Sequence, residues 1–231
     1  MNPGHVVSAD EWLTARKQLL IKEKELTQLR DELSQQRRML PWVPVETVYR
    51  FIGPDGECDF AALFTDHQQL IIYHFMMGVD WSEGCPSCSW WADNFNGIDV
   101  HLQRRDIAFA AVSNAPISAI EKYRHRMGWN FRWFSAIDSK FSKDLKVTFD
   151  ETEQAAQSMF YNYRDTDWFT EELPGVSVFA RDDAGNIYHT YSTYSRGLDS
   201  LNGAYQYIDL TPTGRNEENG MSWLRRHDQY E

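Results

Sequence analysis

The stretch Leu70-Ile71-Ile72-Tyr73-His74-Phe75-Met76-Met77, followed after a short loop by Gly84-Cys85-Pro86-Ser87-Cys88-Ser89-Trp90-Trp91, decides how this sequence is read. The first run is apolar and partly β-branched or aromatic, which suits a central strand buried on both faces. The second opens with two cysteines three residues apart and continues with Trp91 and Phe95 four apart, a helical spacing. A strand handing over to a helix at a cysteine places that sulfur among free N–H groups at the positive end of the helix dipole. A free cysteine has a pKa of about 8.5 and holds little thiolate at neutral pH, and such a position lowers it. Cys85 is therefore the candidate nucleophile. Cys88, one turn on and more buried, is the candidate resolving thiol, and Pro86 suits the first helical position because its missing N–H is not needed there.

Around this centre the chain alternates. Val45–Ile52 reads as a strand closed by the turn Gly53-Pro54-Asp55-Gly56. Ile107–Val112 is a second buried strand. Pro116 opens a helix through Arg126, and Phe131–Ala136 is a third strand. Thr152–Asn162 fits helix or strand. Gly175–Arg181 and Asn186–Tyr191 flank Asp182-Asp183-Ala184-Gly185 as a hairpin, and Leu198–Asp209 reads as a last helix. This order predicts an α/β protein with a mixed sheet covered on both faces by helices. Ser8-Ala9-Asp10-Glu11 is a capping box ahead of a helix to about Arg38, with Trp12, Leu19, Leu26 and Leu33 recurring every seven residues. That narrow stripe fits either packing on the main domain or a coiled-coil arm joining two copies as a homodimer. The expected division is an N-terminal helical extension over 1–40, a main domain over 41–210 and a polar C-terminal tail over 211–231.

Composition narrows the function. Of 231 residues 42% are hydrophobic, enough for a core without disulfides, and the net charge of −11 argues against a phosphate-binding surface and hence a nucleic acid partner. No apolar run approaches the ~18 residues of a membrane span, and the first residues lack a basic start before an apolar stretch. A cytoplasmic location is expected, where a C-x-x-C pair is redox-active or metal-binding. Zinc normally needs two further ligands, and neither a second C-x-x-C nor a paired histidine motif is present, so no metal or cofactor is called for. Cys58 reads as a spare thiol in a turn.

The run Trp81-Ser82-Glu83-Gly84-Cys85-Pro86-Ser87-Cys88-Ser89-Trp90-Trp91-Ala92-Asp93-Asn94-Phe95-Asn96-Gly97 resembles the signature of a bacterial thioredoxin-like family catalogued as a domain of unknown function, number 899 in that series. The resemblance continues through Pro174-Gly175-Val176-Ser177-Val178-Phe179, Tyr188-His189-Thr190-Tyr191-Ser192 and Trp223-Leu224-Arg225-Arg226-His227-Asp228, so it spans nearly the whole chain. It implies a thioredoxin-like fold elaborated by the N-terminal helix and the C-terminal tail, and brings no established substrate; the cysteine pair itself points to a thiol or disulfide substrate, protein or small molecule. The resemblance also implies a cis Leu173–Pro174 bond facing the cysteines, as in the wider thioredoxin superfamily. Trp81, Pro86, Ser87, Trp90 and Pro174 are then the expected substrate-binding residues.

Thiol–disulfide exchange through Cys85 and Cys88 leads the functional readings. A peroxiredoxin-like thiol peroxidase is the first alternative. Ser82 stands where peroxiredoxins carry Thr or Ser three residues before their reactive cysteine, although Gly78 replaces their proline. Copper or zinc handling by the same cysteines, with Met76, Met77 or His189 nearby, is the non-enzymatic alternative. A scaffold that keeps the fold without using its thiols is a further one. Asp93 is a candidate proton acceptor for the buried thiol, His74 and His189 are candidate neighbours of the pair, and Glu83 would oppose thiolate formation if it faced Cys85.

Overall fold

A computed structural model describes residues 4–155, 159–166 and 170–231. The chain divides into two compact units, 1–41 and 42–231. The first is a single helix, α1 (Ala9–Arg38), which starts where the capping box places it. Ser8 Oγ accepts from the Glu11 N–H, and the Glu11 carboxylate accepts from the Ser8 N–H at 3.0 Å.

The second unit follows the chain through β1 (Val43–Pro44), β2 (Arg50–Gly53), β3 (Gly56–Asp59), β4 (Gln69–His74), α2 (Pro86–Ala92), α3 (Asp99–Gln103), β5 (Ile107–Ser113), α4 (Ile117–Arg126) and β6 (Trp133–Ser135). It continues through α5 (Phe141–Asp144), α6 (Glu151–Ala155), β7 (Met159–Tyr161), β8 (Arg164–Thr166), β9 (Gly175–Arg181), β10 (Ile187–Tyr194) and α7 (Gly203–Ile208). Among the described residues the main sheet runs β1-β10-β9-β4-β5-β6-β2-β3, and β7 pairs with β8 separately. β4, β5 and β6 are parallel, while β9 lies antiparallel to β4 and β10 antiparallel to β9. A parallel strand–helix–strand unit followed by an antiparallel pair, with the first strand central, is a thioredoxin-like core.

Alternation along the central strands supplies both core faces. Leu70 and Ile72 of β4, Ala108 of β5 and Phe179 of β9 face a layer made by Phe51, Phe60, Leu63, Phe64 and Phe141. Tyr73, Phe75, Phe109, Ala111 and Val176 face the opposite layer, which takes Cys88, Trp91 and Phe95 beyond α2, Ile120 and Tyr123 of α4, and Tyr205 of α7. Both faces are therefore covered, but helices carry most of only one. The other is closed by a 3-10 turn at Ala61–Phe64, the short α5 and the segment before β2.

Two expectations need correction. Of the strand expected over Val45–Ile52 only the end is strand, in β2; β1 stops just before it, and the two lie towards opposite ends of the sheet order because the segment between them crosses a sheet face and buries Tyr49 there. The Leu173–Pro174 bond is trans, and no peptide bond among the described residues is cis. The approach to β9 runs extended beside residues 147–149. Phe149 N–H donates to Glu171 O at 3.0 Å and Leu173 N–H to Val147 O at 2.9 Å, so the chain enters β9 without reversing. The ambiguous Thr152–Asn162 segment includes both α6 and β7, and its residues 156–158 lie outside the described residues.

α2 is seated through Gly84. A Cβ at this position would lie 2.5 Å from Phe75 Cε1 and 2.7 Å from Tyr123 Cε1, both ring atoms in the packed layer beneath the helix. Gly84→Ala is expected to cost about 1–3 kcal/mol through this overpacking, read as a lower urea midpoint at unchanged slope.

Candidate active site

Cys85 is the N-cap of α2, with extended backbone at φ −54° and ψ 132°. Its N–H donates to Met76 O at 3.0 Å, which ties the start of α2 to the residues just past β4. Its own carbonyl accepts from Ser89 N–H at 2.9 Å and Ser89 Oγ at 2.8 Å. Cys85 is half-buried and Cys88 is buried, and both are thiols.

The two sulfurs act on each other across the first turn of α2, and this proximity separates their acidities. The hydrogen bond from Cys88 is the foremost influence on Cys85. Burial opposes it, while hydrogen bonds from the Cys88 and Ser87 N–H groups and the Ser87 hydroxyl add to it. Cys85 is brought down to about 6. Cys88 moves the other way. Burial pushes its thiol well up, and the neighbouring Cys85 sulfur reinforces this against opposing hydrogen bonds from Tyr73 and the Met76 N–H. The Met76 nitrogen lies 3.5 Å from Cys88 Sγ. At neutral pH the pair is one thiolate held by one protonated thiol. Tyr73, buried beneath it, has its hydroxyl pushed far above its usual range, by burial first and then by the Cys88 sulfur.

The pair opens onto a cavity of about 530 Å³. Tyr73, Met76, Ser87, Trp91, Tyr161 and Pro174 line its inner part, while Leu198, Tyr205, Gly220 and Met221 close it from the C-terminal third of the chain. Of the residues expected to bind substrate, Ser87 and Pro174 are on this wall. Trp81, Pro86 and Trp90 are not among its lining residues. Trp81 Nε1 donates to the Glu171 carboxylate, and Trp90 packs on Tyr205 and Trp223 at ring-centroid distances of 4.5 and 5.3 Å. Trp91 is the tryptophan on the wall, its Nε1 fixed by Leu198 O at 2.9 Å.

The other candidates are placed elsewhere. Asp93 accepts from Trp129 Nε1 at 2.8 Å and pairs with His227 at 2.7 Å, so it serves to dock the tail. Glu83 pairs with Arg126 and Arg226. His74 and His189 belong to a chain of hydrogen bonds, His74–Ser177–Ser192–His189, with successive separations of 2.8, 2.8 and 2.7 Å. Burial keeps both imidazoles neutral, His74 down at about 3. His189 lines a second cavity, not the one that holds the cysteines. Ser82 is exposed, and Cys58 lies in β3 against the other core layer. Among the described residues no three His, Cys, Asp or Glu side chains group to hold a metal ion, and no helix is long and apolar enough to cross a membrane.

The tail contributes what local reading missed. Arg226 donates to Gly84 O at 2.7 Å and to Tyr123 Oη at 2.9 Å, and Tyr123 Oη lies 2.8 Å from the same Ser89 Oγ that holds the Cys85 carbonyl. The run from Trp223 to Asp228, conspicuous in sequence without an assigned role, thus clamps the turn that presents the nucleophile.

A cysteine capping the helix after a central parallel strand, with its partner one turn on, defines a thioredoxin-like protein with a C-x-x-C thiol pair. The chain belongs to the family described as "Bacterial protein of unknown function (DUF899)", which matches residues 1–230. No curated protein matches it. Among solved structures it is similar to peroxidoxin BcpB from Mycobacterium tuberculosis, at 10% identity over 73% of this chain and 96% of that one, with a TM-score of 0.46. It is also similar to a peroxiredoxin Q from Xanthomonas campestris, at 12% identity, 68% and 89% coverage and a TM-score of 0.45. A third similar structure is the mitochondrial 2-Cys peroxiredoxin from Plasmodium falciparum, at 12% identity, 72% and 92% coverage and a TM-score of 0.42.

Next to Pro174, Glu172 is buried and accepts from Asn114 Nδ2 at 2.8 Å. Burial raises its carboxyl from the ordinary 4.5 to about 7, against the opposing Asn114 hydrogen bond. Between these values the folded chain binds more protons than the unfolded one, so stability is full below 4.5 and falls as pH rises towards 7. The loss is on the order of 3 kcal/mol. Glu172→Gln keeps an acceptor for Asn114, and urea melts across this range should show the fall flattened.

Proposed function

We propose that the protein is a thiol–disulfide oxidoreductase in which Cys85 attacks a substrate disulfide and Cys88 resolves the mixed disulfide. The observation that carries this reading is the pair itself, two free thiols one helical turn apart on one cavity and unequal in burial. The sulfur on the cavity wall is lowered to about 6, while its buried partner stays protonated. A thiolate at neutral pH attacks, and a protonated second thiol waits until the first has been consumed. Tyr73 and the Met76 N–H are placed to stabilise Cys88 when it becomes the anion. Ser87 and Pro174 line the same cavity as the attacking sulfur. Trp81, Pro86 and Trp90 support the loop and helix that present it. A reducing cytoplasm is the compartment in which such a pair cycles. Residues 1–40, which carry α1, form an extension of this domain, and the heptad stripe of α1 suits it to join two copies.

Equilibration with a reduced and oxidised dithiothreitol series should interconvert the Cys85–Cys88 dithiol and disulfide reversibly with a two-electron dependence. Cys88→Ser should accumulate a stable mixed disulfide at Cys85. Absence of a reversible Cys85–Cys88 bond across the series, or trapping at Cys58 instead, would overturn the assignment.

A further inference from the structure

The charged side chains on the cavity wall already have partners within the protein. Arg215 pairs with Asp199 at 2.7 Å and with Asp209 at 2.8 Å, and its guanidinium stacks on the Tyr205 ring, 3.7 Å from the centroid. Glu217 accepts from Tyr205 Oη at 3.0 Å and from Trp223 Nε1 at 2.9 Å. Arg196 meets Asp199 at 3.3 Å and leaves 86% of its side chain in water. Two cations and two anions on the wall cancel. Apart from Ser87, the surface near the sulfurs is made of tyrosine, tryptophan, methionine, leucine and proline side chains. An ionised group on a ligand seated against the sulfurs would lose part of its hydration beside apolar side chains, and the wall charges already have partners in Asp199, Asp209, Tyr205 and Trp223, so little offsets that cost. A volume of about 530 Å³ holds a small organic molecule and not a folded chain.

We propose that the substrate is an uncharged, low-molecular-weight organic disulfide, bound in the cavity walled by Trp91, Leu198 and Met221 with its sulfurs against Cys85. This rests on the thiol-exchange reading above and adds the class of molecule. The Cys85 thiolate attacks one substrate sulfur. The S–S bond breaks, a Cys85–substrate disulfide forms, and the other half leaves as a thiolate. That thiolate takes the Cys88 proton and departs as a neutral thiol. Cys88, now anionic, attacks Cys85 Sγ, closes the Cys85–Cys88 disulfide and expels the second half as a thiolate. The protein loses two electrons and the substrate gains them.

The test compares three disulfides of similar size, each rate normalised to that of the same compound with free dithiothreitol. They are 2-hydroxyethyl disulfide, which is neutral, cystamine with two ammonium groups, and 3,3′-dithiodipropionate with two carboxylates. High salt removes the influence of the net charge of −11. The neutral compound should oxidise the pair at least about ten-fold faster than either charged one, a factor that corresponds to about 1.4 kcal/mol. Met221→Trp, which fills the cavity, should slow the neutral compound by a similar factor. Equal rates for all three, a preference for either charged compound, or uniformly slow reaction while the pair still equilibrates with dithiothreitol would overturn the substrate class. Failure of the dithiothreitol equilibrium would overturn the exchange reading instead.

Discussion

The influence of the Cys88 thiol on the Cys85 sulfur, one helical turn away, is the interaction on which the rest of the site depends. It is asymmetric because its two ends sit in different surroundings. Cys85 caps a helix, sits by that helix's first N–H groups and is half-buried on the cavity wall, whereas Cys88 is fully buried against Tyr73. Desolvation keeps Cys88 protonated, and the proton it keeps stabilises the Cys85 anion. Two chemically identical side chains thereby acquire opposite roles.

Holding that contact requires agreement from remote parts of the chain. β4 brings Tyr73 beneath the pair and the Met76 carbonyl to the Cys85 N–H. Gly84 lets the turn descend onto Phe75 and Tyr123. Arg226 then locks the Gly84 carbonyl and the Tyr123 hydroxyl from the far end of the chain. Glu83, next to the nucleophile in sequence, is paired with Arg126 and Arg226. The tail therefore acts as part of the active-site scaffold. It supplies the clamp at Arg226 and, through Glu217, Gly220 and Met221, one wall of the cavity.

What could be read from the sequence follows from how local the signals are. The β4-to-α2 handover was legible because a buried strand, a proline at the first helical position and a cysteine pair all lie within twenty residues of one another. The capping box of α1 and the hairpin β9–β10 were legible for the same reason. The cavity wall was not, since Tyr161, Leu198, Arg215 and Met221 approach Cys85 only through the tertiary fold and share no period or motif with it. Tyr73 was read as core, which it is, but the partner of a core hydroxyl depends on packing across the sheet. Trp81 and Trp90 drew attention by flanking the pair, yet helix geometry turns Trp91 to the cavity and Trp90 to Tyr205 and Trp223. The cis bond expected before Pro174 was a superfamily habit. Pairing with residues 147–149 gives this chain a straight extended approach instead.

The most direct test of the central contact is the ultraviolet absorbance of the thiolate as a function of pH, in the native protein and in Cys88→Ala. The account predicts a native step with its midpoint at about 6 that moves up by more than one unit when the Cys88 donor is removed. A native midpoint at the ordinary cysteine value, or a low midpoint that survives loss of Cys88, would contradict it.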